Sequence, residues 1–146
     1  MSADKFDALG PLLSEVGLEA VAIAGGDATG LFLYVEAGEV WVGASLFKDE
    51  GEVVRYLSYK GSSLTDHIFA ARESEPDVSK RWSVMEYEIE NGKFEAKFKF
   101  ADEIDVESDS DIEGKRRDGA LRARYGDKPV VYPPPPFDAM ELTSEG

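Results

Sequence analysis

The sequence predicts an α+β fold: an antiparallel sheet of about six strands, built as a meander plus a hairpin, with flanking helices in the order α-ββββ-α-ββ-α. Three observations lead there. Apolar residues recur at helical spacing near the start, the middle and the end of the chain; they alternate at period two between those stretches; and Asn91-Gly92 joins two β-prone runs.

Phe6, Leu9, Leu13 and Val16 share one helical face over residues 2–16, and Gly10-Pro11 is expected to break this helix or restart it with Pro11 in a first turn. Gly17 permits a turn, after which Leu18 to Ala24 reads as a short strand of small and branched residues. Gly25-Gly26-Asp27-Ala28-Thr29-Gly30 superficially resembles a phosphate-cradling loop. Leu31 and Phe32 stand where such a loop needs a lysine and a hydroxyl, so a strand-to-strand turn into 31–35 is expected instead. Further strands are expected at 39–47 and 52–59, with turns at Ala37-Gly38 and Lys48-Asp49-Glu50-Gly51. Ser63-Leu64-Thr65-Asp66 has the spacing of a capping box, and the helix it opens stacks Leu64, Ile68 and Ala71 before Pro76 stops it.

Residues 81–101 carry the firmest pattern. Asn91 and Gly92 both tolerate positive φ, so a two-residue type I′ turn sets the register: Ile89 faces Phe94, Tyr87 faces Ala96 and Met85 faces Phe98, while Glu88 meets Glu95 and Glu86 meets Lys97. One face of the hairpin is apolar and the other charged. From Glu107 two overlapping capping boxes, beginning at Ser108 and Ser110, precede Lys115-Arg116-Arg117 and Arg122-Ala123-Arg124, an order that complements a helix dipole, with Gly126 as the stop. Gly114 and Gly119 weaken that helix, so it needs tertiary support. A single domain over 1–128 is expected, followed by a proline-rich tail over 129–146 that is either packed or loose.

With 42% hydrophobic residues in 146, the chain carries enough apolar surface to fold around one core despite 32% charge. The absence of cysteine removes disulfides and thiolate chemistry together and points to the cytoplasm. Residues 1–7 lack a basic flank followed by an apolar run, and no stretch is long enough to cross a bilayer, so neither export nor membrane association is expected. The net charge of −14 repels a phosphate backbone, which argues against nucleic acid as a partner and favours encounter with a basic protein.

Asp102, Glu103, Asp105, Glu107, Asp109, Asp111 and Glu113 place seven carboxylates within twelve positions. Such a run suits a hard cation, and Asp109, Asp111, Glu113 and Gly114 match the opening of an EF-hand loop, but Ala120 stands where a bidentate glutamate must close it. A solvated helix entrance is the plain alternative, and an acidic edge for a partner the functional one. His67 is the only histidine, and its neighbour Asp66 points about 100° away on a helix, so neither forms evidence for catalysis. No cofactor is indicated; a metal-dependent hydrolase using the 102–113 carboxylates is the enzymatic alternative, and a general protein-binding adaptor the non-enzymatic one. Trp82, Glu86 and Glu88, assigned to one side of the hairpin, combine an aromatic anchor with carboxylates, as protein interfaces do.

Trp82, the hairpin around Asn91-Gly92-Lys93-Phe94, the aromatics Phe98 and Phe100, and a late basic helix ending at Tyr125-Gly126 before Pro129 make residues 81–129 resemble YezG-like bacterial immunity proteins. The first half agrees in its order of helix and strands. The resemblance implies a small cytoplasmic protein that binds the toxic nuclease domain of a secreted or contact-delivered toxin and blocks it. The long proline-bearing tail departs from that pattern. On this expectation the partner is a basic toxin domain, contacted through Asp102 to Glu113 together with Trp82, Glu86 and Glu88.

Overall fold

A continuous apolar stripe, Leu9, Leu13, Val16 and Ala20, sets the first element, and the computed structural model, which describes residues 2–38, 41–100 and 115–132, shows one helix, α1, over Ser2–Ile23. The stretch from Leu18 is therefore helical and not a strand: the 3.6-residue stripe continues past Gly17 into Ala20, and the alanines there favour helix. Pro11 sits inside the helix without ending it. Gly25 and Gly26, at φ 78° and 96°, terminate it, with the Gly26 amide donating back to the Val21 carbonyl at 2.8 Å in a Schellman-type closure.

Strands β1 (Leu31–Ala37), β2 (Val42–Asp49) and β3 (Val54–Leu57) form the meander, one strand fewer than the sequence pattern suggested because its first member belongs to α1. Helix α2 (Leu64–Glu73) follows, then a short 3-10 turn at Val78–Lys80. Strands β4 (Val84–Glu90) and β5 (Lys93–Lys99) form the hairpin in the expected register, closed by Asn91 at φ 54° and Gly92 at φ 76°. Helix α3 covers Lys115–Tyr125, and a two-residue strand β6 (Val130–Val131) runs parallel to β3. The start of the proline-rich segment is thus part of the sheet.

The sheet order is β5-β4-β1-β2-β3-β6, six strands that are antiparallel except at β6. The fold is α+β. Central β1 is buried on both sides, which explains its nearly unbroken apolar run. Leu31, Leu33 and Val35 face the main core under α1 and α2 with Leu46, Met85, Tyr87 and Ile89, whereas Phe32 and Tyr34 face a smaller core with Phe47, Val54, Val84 and Leu121 under α3. No helix among the described residues is long and apolar enough to cross a membrane.

The capping box at Ser63 does not form. The Ser62 hydroxyl accepts the Leu64 amide at 3.2 Å, while the Ser63 hydroxyl lies 3.1 Å from Nε2 of His67. The two capping boxes at 108–113 lie outside the described residues.

Candidate partner-binding site

Alternation along the hairpin places Val84, Glu86 and Glu88 on the α3 side of the sheet, opposite Lys99, Lys97 and Glu95. Glu88 therefore meets a like charge across the ladder. Arg124 of α3 offsets it, its Nη1 donating to Glu88 at 2.9 Å while its guanidinium stacks 4.6 Å from the centre of the Phe32 ring. Glu86 is half-buried in a groove between the hairpin and α3, walled by Tyr34, Lys97, Lys99, Arg116 and Arg124. Gly119, Ala120 and Ala123 supply the helix side of that groove, where short side chains leave the space between helix and strands unfilled.

A second ionic contact fixes the start of α3. Glu36 of β1 is buried, accepts the Tyr34 hydroxyl at 2.9 Å, and receives Arg116 through Nη2 at 2.8 Å and Nε at 3.3 Å. The fork of the guanidinium matches the two carboxylate oxygens, the geometry in which a partly buried ion pair overcomes its desolvation cost. Arg117 adds a bond to Ser45 Oγ at 3.3 Å, and Lys128, just after the helix, reaches Asp49 at 2.9 Å. The Asp49 carboxyl is held below the ordinary carboxylate range, chiefly by that bond and then by the Gly51 amide. The basic residues of α3 thus dock it to the sheet.

Trp82 departs from the expected surface. Its ring is buried in the main core, tilted against Phe98 with centroids 5.6 Å apart, on the opposite side of the sheet from Glu86 and Glu88. The cause is local: the Ser83 amide donates to the Lys99 carbonyl while Val84 is also the ladder partner of Lys99, so two residues oppose one, as in a β-bulge. The bulge shifts the alternation by one. Arg72, itself buried, pins the backbone there by donating from Nε to the Trp82 carbonyl at 2.8 Å and from Nη1 to the Gly38 carbonyl at 3.0 Å.

Asp102, Glu103, Asp105, Glu107, Asp109, Asp111 and Glu113 lie outside the described residues, between the end of β5 and the start of α3. Of the carboxylates on the hairpin, Glu86 and Glu88 do share one face, but among cations and not on an acidic patch. Lys97, Lys99, Arg116 and Arg124 were the missed participants. The hairpin register gave away Lys97 against Glu86, whereas nothing in the pattern of 115–124 says which sheet carboxylates its arginines reach.

Among the described residues, no group of three or more His, Asp or Glu side chains comes together to hold a metal ion. Ser63 and His67 are hydrogen-bonded across one turn of α2. No acid is hydrogen-bonded to that ring among the described residues, so the pair lacks the third member that orients a catalytic base. No family model matches this sequence, and no curated protein does.

Proposed function

We propose that the protein is an immunity-type inhibitor, a cytoplasmic binding module that neutralises a cationic toxin domain through the carboxylates of 102–113. One observation supports this reading above the rest: that run holds seven acidic residues and no basic one, and both its flanks are fixed to the sheet, by the β4–β5 ladder on one side and by the Arg116–Glu36 clasp on the other. Several cations elsewhere are engaged locally, Lys48 with Asp27 at 2.7 Å, Arg124 with Glu88 and Lys128 with Asp49, and the chain as a whole keeps its excess negative charge. A concentrated field of that sign speeds association with a basic surface and fits a nuclease domain, the partner that the resemblance implies. Glu88 is already bound by Arg124 and Trp82 is buried, so their part is to hold the scaffold, and the contact surface centres on the acidic run.

The test replaces the seven carboxylates by their amides, Asp→Asn at 102, 105, 109 and 111 and Glu→Gln at 103, 107 and 113. Wild-type protein immobilised as bait should retain a cationic protein from its own cells and protect cells that express it, and the amide variant should do neither. Equal protection by both would refute the reading. Calorimetry with calcium, magnesium and manganese checks the rival use of the same carboxylates: a metal-dependent turnover of substrate would replace the inhibitor reading.

A further inference from the structure

The two edges of the sheet are unequal. β6 has two residues, whereas β5 has seven and, among the described residues, no strand on its outer side. Folds normally shorten or cover an edge, because its unpaired amides and carbonyls invite another strand. Glu90 and Lys93 flank a two-residue type I′ turn and so exchange both ladder bonds; alternation then points the backbone groups of Lys93, Glu95, Lys97 and Lys99 toward β4 and those of Phe94, Ala96 and Phe98 outward. Beside this edge Leu18 is 65% exposed and Phe94 39%, and with Val21 and Ile89 they line an apolar cleft between α1 and the hairpin. Apolar side chains and open backbone coincide at one place.

We propose that β5 pairs antiparallel with the β5 of a second copy of this chain, about a two-fold axis at Ala96. Only a centre at Ala96 pairs the whole strand with itself, and it makes the charge pattern self-complementary: Glu95 falls opposite Lys97 of the second copy, and Lys97 opposite its Glu95. On the other face Phe94 falls opposite Phe98 of the second copy, which sets an aromatic ring beside the cleft. The outward amides and carbonyls of Phe94, Ala96 and Phe98 then bond those of Phe98, Ala96 and Phe94 across the axis. Lys93 and Lys99 meet only at the two ends, where long side chains splay into water. A second copy suits this edge because its register sets each Glu95 opposite a Lys97, a match that a strand carrying lysines alone would lack. The association uses none of the 102–113 carboxylates and stands independently of the inhibitor reading.

Sedimentation equilibrium of the full chain, over about 1 to 200 µM protein, should show a monomer–dimer equilibrium. Glu95→Lys turns both attractive cross-strand pairs into repulsive ones and should raise the dimer dissociation constant about tenfold. Glu95→Lys combined with Lys97→Glu restores the complement and should restore the dimer. Ala96→Pro deletes an outward amide while leaving the β4 ladder intact, and should abolish association. Thermal melts of the diluted variants separate loss of pairing from loss of fold. A wild-type chain that stays monomeric throughout, a Glu95→Lys variant that dimerises like wild type, or a double variant that fails to recover would each overturn the proposal.

Discussion

The indole of Trp82 fills the main core against Phe98, and its Nε1 finds no hydrogen-bond partner among the described residues. Trp82→Ala should therefore cost about 3–5 kcal/mol in denaturant unfolding, as buried aromatic truncations do, while Trp82→Phe deletes an N–H that makes no bond and should cost clearly less. A change within about 0.5 kcal/mol for the alanine variant would return the ring to the surface. Gly17 offers a sharper case. The Tyr87 hydroxyl donates to the Leu13 carbonyl at 2.7 Å, and a Cβ at Gly17 would press directly on that hydroxyl oxygen, with the ring carbon behind it at an ordinary 3.4 Å. Gly17→Ala should destabilise the wild type by about 1–3 kcal/mol through overpacking, yet in a Tyr87→Phe background the same change should be neutral or stabilising by up to about 1 kcal/mol, the helical preference of alanine over glycine. Thermal melts of the four proteins in that cycle measure the coupling. The tyrosine's place in the core was legible from hairpin alternation; its hydroxyl's partner, 74 residues away in the chain, was not.

Helix α3 shows how an element too polar to bury itself is held. Leu121 is its one buried side chain among the described residues, and the helix lies on the sheet through Arg116–Glu36, Arg124–Glu88 and, just beyond its end, Lys128–Asp49. The expected acid-then-base order rests on residues 107–113, which lie outside the described residues, and the described helix opens on Lys115-Arg116-Arg117; its need for tertiary support was legible from Gly119. The destinations of the arginines were not, because nothing in 115–124 says which carboxylates of the sheet they reach, and Glu36 lies in a strand that is buried along its whole length. Hairpin register, by contrast, was fully readable, since a two-residue turn fixes every cross-strand pair. The Leu18–Ala24 error has the same physical root as the Trp82 one: a local pattern was overridden, there by the longer helical stripe and here by a bulge. For Asp49 the sign of the pH effect follows from its lowered pKa. A carboxyl whose folded value lies below its unfolded value stabilises the fold above the unfolded value, and loses that contribution as the pH falls through the folded one. The stability difference between wild type and Asp49→Asn should accordingly narrow as the pH drops below about 4, and Lys128→Ala should move the Asp49 carboxyl, followed by carbon NMR, back toward the ordinary value.

On the scale of the whole molecule, charge is unevenly placed. Half of the net −14 resides in the seven carboxylates of 102–113, while Arg116, Arg124 and Lys128 are drawn into pairs that hold elements together. Composition alone disclosed the sign of the field and the run that concentrates it; the internal engagement of Glu88 and the burial of Trp82 needed the fold. Encounter with a basic partner under such a field is fast at low ionic strength and slows as salt screens it, over a Debye length of about 8 Å at physiological salt. The most direct measurement is the association rate constant of the captured cationic partner, by stopped flow, with wild type and with the seven-amide variant across a salt series. Wild type should associate at least about tenfold faster than the variant at low salt, and the two should converge as salt rises. Equal rates and equal salt slopes for the two proteins would contradict a role for 102–113 in recognition.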